Sequence, residues 1–127
     1  MNFNYHQPAE IRFGRGRVKE LREVAARYGK KIVLVTVPVF DAIKPGIENA
    51  RKCLENEGIE VFHFDGVVPN LTTDSIDTGT EMARTHHIDV VVEFGGGSSM
   101  DTAKAIAVGT THEGTAWDYL YVKKKTY

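Results

Sequence analysis

Three consecutive glycines, Gly95, Gly96 and Gly97, followed by Ser98, Asp101 and Lys104, are the residues whose types and spacing suit chemistry in this chain. A glycine turn carries no side chains, so an anionic ligand can approach its backbone closely. The first N–H groups of a helix lack internal partners and sit at the positive end of the helix dipole, which favours a phosphate there. Two readings of the glycines stay open: a cradle for a phosphate, or a tight turn in which they only supply positive φ angles. Asp101 is expected in the first turn of the following helix, where a carboxylate is favoured and can face a ligand, with Lys104 three residues on along the same face. A plain surface ion pair is the alternative for these two. The commonest phosphate loops do not fit. Gly-x-Gly-x-x-Gly would need glycine where Met100 stands, and no Gly-Lys-Ser/Thr follows four spacer residues as a Walker loop requires.

The elements that must position these residues are legible on either side. Val90, Val91, Val92 and Phe94 form a nearly continuous β-branched and aromatic run, as in a strand buried on both faces of a parallel sheet. Ser98 is the expected N-cap, and Met100, Ala103 and Ala107 recur at helical spacing after it. Upstream, Phe3 and Tyr5, then Ile11 and Phe13, alternate around Pro8 and predict a short N-terminal β-hairpin. Val18, Leu21, Ala25 and Tyr28 mark a first helix stopped by Gly29. Residues 32–35 are a second buried strand, ended by Thr36-Val37-Pro38. Pro45, Ile47, Ala50 and Leu54 mark a helix closed by Gly58, with Cys53 beside its apolar face as a small packing residue. Residues 59–64 alternate as a third strand, and the loop from Asp65 to Pro69-Asn70 leaves the sheet at that strand's carboxyl end. Thr72 or Thr73 caps a further helix whose Ile76, Thr80 and Ala83 face inward. Residues 115–120 read as a short helical turn with Trp117 as a packing anchor, and residues 122–127 as a solvated basic run. Strands and helices alternate at intervals suited to right-handed crossovers, which predicts an α/β, doubly wound, Rossmann-like parallel sheet with helices on both faces. Ligands of such sheets collect at the carboxyl ends of the strands.

Gly95-Gly96-Gly97-Ser98-x-x-Asp101-x-Ala103-Lys104 resembles the signature of the iron-containing (group III) alcohol dehydrogenases, whose relatives include glycerol dehydrogenase and dehydroquinate synthase. Pro8, Ile11, Phe13-Gly14-x-Gly16 and Leu21 resemble the opening of the same family. The resemblance implies a nicotinamide dinucleotide, NAD or NADP, with its pyrophosphate on the glycine turn, Asp101 near the nicotinamide and Pro69-Asn70 beside the ribose. Thr36-Val37-Pro38, at the carboxyl end of its strand, is a candidate wall of that site, with an ordinary strand end as the alternative. In the family an aspartate often follows the threonine and bonds the ribose 2′-hydroxyl; Val37 stands there instead, with no obvious arginine for a 2′-phosphate. NADP is therefore expected to be tolerated, or even preferred.

In the family a helical domain follows the nucleotide domain, carrying an aspartate and three histidines that hold iron or zinc. Nothing in residues 1–127 corresponds to those ligands, and the five histidines form no HxxxH pair. The chain is accordingly read as an N-terminal dinucleotide-binding domain of an alcohol dehydrogenase acting on small alcohols or aldehydes, with no catalytic or metal residues of its own and no turnover by itself. The alternative is a stand-alone, non-catalytic nucleotide-binding or regulatory module. A third reading is an assembly domain that pairs a sheet edge with a second copy as a homodimer.

Composition narrows the remaining classes. One domain is expected for 127 residues with 42% apolar content. A formal charge of −1 supplies no basic field for nucleic acid, and no apolar run approaches the roughly 20 residues of a membrane span. The single cysteine allows no internal disulfide and the N-terminus does not resemble a signal peptide, so the cytoplasm is the expected compartment.

Overall fold

The computed structural model describes residues 1–119. Leu120 and the basic run at 122–127 lie outside the described residues. Three parallel strands, β1 (Lys31–Thr36), β2 (Glu60–Phe64) and β3 (Val90–Phe94), form a sheet in the order β2-β1-β3. The register pairs Val35 of β1 with Phe64 of β2, and Thr36 of β1 with Phe94 of β3, so all three strands end on one level. β1 lies in the middle and is the apolar run Ile-Val-Leu-Val, of which every residue is at most 1% exposed. That is what a strand covered on both faces requires.

The two faces are covered by different helices. α1 (Leu21–Ala25), entered through a 3-10 turn at Arg17–Glu20, and α2 (Lys44–Glu55) pack Ala25 and Leu54 against Ile32 and Ile59. α3 (Thr73–Thr85) and α4 (Gly97–Thr111) pack Ile76, Ala83, Ala103 and Ile106 against Val33, Val35 and Phe64. The doubly wound arrangement expected from the alternation is thus present. α3 begins as its sequence suggests, with the Thr72 hydroxyl accepting the Ser75 N–H at 3.3 Å. It lies close to α4 through two glycines: a Cβ at Gly79 would stand 2.3 Å from Ile106 Cδ1, and one at Gly109 would stand 2.6 Å from Thr80 Oγ1. The base of the sheet is tied by Asp89, whose Oδ2 accepts the N–H groups of Lys30 and Lys31 at 2.9 and 3.0 Å. Those two bonds hold the Asp89 carboxyl below the usual aspartate range.

The N-terminal hairpin is not formed: residues 1–13 contain no strand. A two-stranded ribbon is marginal unless something covers its apolar face, and Phe3, Tyr5, Ile11 and Phe13 are each at least 77% exposed. Their alternation signals extended backbone but not a partner for it. The segment is held instead by charge, through Arg12 Nη1 to Glu20 Oε2 at 3.1 Å. Glu20 also accepts from Arg17 at 2.8 Å, and Arg17 foremost lowers its carboxyl pKa to about 2. Two smaller expectations shift. Tyr28 is 71% exposed because α1 ends at Ala25, before the helical phase would turn it inward. Trp117 is 52% exposed, and it is Ala116, its N–H bonded to the Asp77 carboxylate, that packs on the core.

Candidate functional site

The turn from β3 to α4 is built by three glycines in extended or helical backbone. None has a positive φ, whereas Gly14, Gly16, Gly58 and Gly114 do. The reading in which residues 95–97 only supply left-handed conformations is therefore excluded by the geometry. What they supply is space. A Cβ on Gly96 or Gly97 would meet nothing within 4 Å, and one on Gly95 would strike Ser99 Oγ at 2.3 Å. The turn is thus closely packed underneath at Gly95 and open above Gly96 and Gly97.

The helix cap differs from expectation. Gly96, with φ −110° and ψ −158°, is the N-cap of α4, and no side chain caps the first turn. Ser98 is already inside the helix, half-buried, because the extended glycine lets α4 start two residues earlier. An uncapped first turn leaves backbone N–H groups without intrahelical partners, directed at the open space over the glycines. Below them Ser99 is 1% exposed, and its Oγ has no hydrogen-bond partner in the protein. A phosphate fits such a cradle: the donors are free, the dipole is favourable and no side chain stands in the way.

Thr36, Val37 and Pro38 leave β1 next to this turn, since Thr36 pairs with Phe94. Thr36 is fully buried, Val37 half-buried and Pro38 exposed. On the other side of β1, the loop after β2 is bound to Thr36 by the Val67 N–H donating to the Thr36 carbonyl at 3.3 Å. That loop carries exposed Pro69 and Asn70, the latter in the left-handed region at φ 57°. The structure therefore brings Thr36, Val37, Pro38, Gly95, Gly96, Gly97 and Ser98 to one level of the sheet, with Pro69 and Asn70 on the flanking loop. Asp101 stands apart from them. It lies beyond the first turn of α4, exposed, and its Oδ1 is 3.9 Å from Lys104 Nζ. The expected first-turn position does not hold, because α4 begins at Gly97; the ion pair of the alternative reading is present, at loose contact. Asp101 and Lys104 instead border a cavity of about 370 Å³ between α3 and α4, whose floor includes Ile76, Ala105 and Val108.

One residue at this end of β3 was not singled out by sequence reasoning. Glu93 precedes Phe94-Gly95, and its Oε2 is buried without a hydrogen-bond partner. Burial raises its carboxyl above the ordinary glutamate range. The only signal in the sequence is a carboxylate inside an otherwise apolar strand. Because its pKa is raised by folding, Glu93 leaves stability intact below the unfolded value and reduces it as pH rises towards the folded one. Glu93→Gln is expected to be more stable than the parent at about pH 8 and to lose that advantage at about pH 4. Urea midpoints of the two chains at both pH values check this; an equal difference at the two would contradict it.

Among the described residues, no three or more histidine, cysteine, aspartate or glutamate side chains are grouped so that they could hold a metal ion. Among the described residues, no helix is long and apolar enough to cross a membrane.

Comparison with known proteins agrees with the sheet and the helices. Residues 8–127 match the family model for iron-containing alcohol dehydrogenase. The chain is 36% identical over 125 residues to "Probable NADH-dependent butanol dehydrogenase 2" of Bacillus subtilis, covering 98% of this chain and 32% of that protein. It is 36% identical over 126 residues to the 1,3-propanediol dehydrogenase of Citrobacter freundii, covering 98% and 33%. The crystal structure of NADH-dependent butanol dehydrogenase A from Thermotoga maritima superposes with a TM-score of 0.87 at 31% identity, covering 98% of this chain and 31% of that one. The chain thus spans about a third of the length of the relatives it matches. With the matched model extending over all but its first seven residues, the chain belongs to the iron-containing alcohol dehydrogenases.

Proposed function

We propose that this chain is the nicotinamide-dinucleotide-binding portion of a metal-dependent alcohol dehydrogenase that interconverts small primary alcohols and aldehydes. The observation that carries this is the β3–α4 turn: an uncapped 15-residue helix opens beside Gly96 and Gly97, where a Cβ would meet nothing within 4 Å, level with the ends of the other two strands. The names of the relatives support both the cofactor and the alcohol class, since two are called NADH-dependent butanol dehydrogenases and one a 1,3-propanediol dehydrogenase.

In this reading Gly95, Gly96, Gly97 and Ser98 hold the pyrophosphate through backbone N–H groups, and Thr36, Val37 and Pro38 with Pro69 and Asn70 border the adenosine ribose. Asp101 lies towards the nicotinamide end. The bound cofactor supplies the hydride acceptor; the chain binds and orients it. The metal and its ligands belong to a second, helical domain of the whole enzyme. Within that enzyme the outer edge of β3, beside which no further strand lies among the described residues, or the exposed apolar residues of segment 1–13, are the surfaces that a second copy would meet in a homodimer.

The test is a titration of the purified chain with NADH and, separately, NADPH, followed by nicotinamide fluorescence. Saturable binding is expected for both, since Val37 presents no carboxylate to a 2′-phosphate. Val37→Asp is expected to weaken NADPH about tenfold relative to NADH, roughly the cost of one unscreened like-charge contact at a partly exposed site. An unchanged ratio would remove the argument that Val37 admits NADP, and absence of all binding by a folded chain would remove the proposal.

A further inference from the structure

His63 lies in β2, opposite Leu34 of β1, half-buried between Phe62 and Phe64 in the sequence. Its Nε2 is 2.9 Å from Thr36 Oγ1. The same hydroxyl donates to the Val37 carbonyl at 2.7 Å. A hydroxyl has one hydrogen, so with that hydrogen committed to Val37 it accepts from the ring, and the neutral imidazole must carry its proton on Nε2. The bond is made at the fully buried last residue of the central strand. Thr36 is also the residue whose carbonyl receives the Val67 N–H, while the next link of that loop, the Gly66 carbonyl, accepts the Ser75 hydroxyl at 2.6 Å. One threonine therefore governs the direction of both chain segments that leave the sheet beside the glycine turn. Its hydroxyl orients residue 37 and its carbonyl anchors the loop leading to Pro69 and Asn70. Without a donor at position 63, the hydroxyl would be free to leave the Val37 carbonyl for another rotamer.

We propose that His63 is a positioning residue for the adenosine end of the cofactor: by donating from Nε2 to Thr36 it locks the hydroxyl on the Val37 carbonyl and fixes the two strand ends that border the ribose. This rests on the reading of the site given above. The pyrophosphate end is independent of the clamp, because it is formed by the start of α4.

The experiment measures 5′-AMP, which needs the adenosine end, against inorganic pyrophosphate, which needs only the glycine turn, on the unsubstituted chain and on His63→Leu, His63→Gln and Thr36→Val. His63→Leu and Thr36→Val are each expected to weaken 5′-AMP about fivefold, the size of one neutral hydrogen bond, with pyrophosphate unchanged within about twofold. Combining them should weaken 5′-AMP no further, since both remove the same clamp. His63→Gln, whose amide nitrogen can take the place of Nε2, should restore binding to within about twofold of the parent. Unchanged 5′-AMP affinity in a folded His63→Leu chain, or equal weakening of pyrophosphate, would overturn the proposal. A second measurement does not depend on any variant folding: nitrogen NMR of the neutral ring in the unsubstituted chain should show the Nε2–H tautomer, and an Nδ1–H tautomer would overturn it. If the unsubstituted chain is folded and binds neither NADH nor 5′-AMP, the reading of the site fails, and this inference with it.

Discussion

Aspartate in place of Gly96 is expected to leave the chain as stable as the parent or slightly more so, while weakening dinucleotide binding about a hundredfold, or about 2.7 kcal/mol. The two effects have opposite signs for separate reasons. Gly96 is an N-cap without a side chain, in extended backbone that any residue adopts, and its Cβ would meet nothing within 4 Å. Aspartate is among the better N-caps and would satisfy one of the free N–H groups of α4, a gain of a few tenths of a kcal/mol over glycine. For the ligand, the same carboxylate occupies the place of the pyrophosphate, takes its donors and repels its charge. Thermal melts and an NADH titration of the same preparations check both halves. Binding that survives the substitution would place the pyrophosphate elsewhere, and a large loss of stability would mean that the glycine serves the fold after all.

Truncating Ile106 to alanine is expected to destabilise the chain by about 3–4 kcal/mol, because the side chain is fully buried between α3, α4 and the sheet. Its neighbour makes the prediction specific. A Cβ on Gly79 would lie 2.3 Å from Ile106 Cδ1 and 2.9 Å from Cγ1, so Gly79→Ala is overpacked in the parent. Once Ile106 is alanine, both of those atoms are gone and the nearest remaining contact is Phe64 Cε1 at 3.3 Å. The added methyl then fills part of the cavity and replaces a glycine inside α3, so the double variant should regain about 1–2 kcal/mol over Ile106→Ala alone. Urea unfolding of the four chains of this cycle measures the coupling. Strict additivity would show that α3 and α4 do not meet through Gly79 as described.

Much of this architecture can be read from residue types. β3 falls on the residues that its β-branched run marks, and the Thr72 cap, the Pro45 start of α2 and the inward row Ile76, Thr80, Ala83 all stand where local pattern puts them. These are features in which a short stretch carries its own physical reason. The misses are features that depend on what lies across space. Alternation at Phe3, Tyr5, Ile11 and Phe13 shows an extended segment but says nothing of a surface to cover it. Ser98 is a better cap than glycine by propensity, yet the extended Gly96 starts α4 before it, which also moves Asp101 out of the first turn. His63 reads as one strand histidine among five, since only the register of β2 on β1 brings it near Thr36. The glycine turn itself is the instructive case: its composition is visible at once, but whether the glycines serve angle or space is decided by backbone torsions.

The central position of β1 also has a consequence in time. Its first partner, β2, joins it from position 60 onwards, and its second only from position 90, with Lys31 and Asp89 58 residues apart in the chain. Both pairings are parallel and close large loops, so the sheet is assembled late and slowly compared with its helices. The phosphate cradle needs β3 and the start of α4 together. During synthesis no cofactor can be captured until most of this chain has emerged, and during refolding a dinucleotide meets its site only after the barrier is crossed. Cofactor would then protect by slowing the departure from the native state, leaving the rate of arrival unchanged.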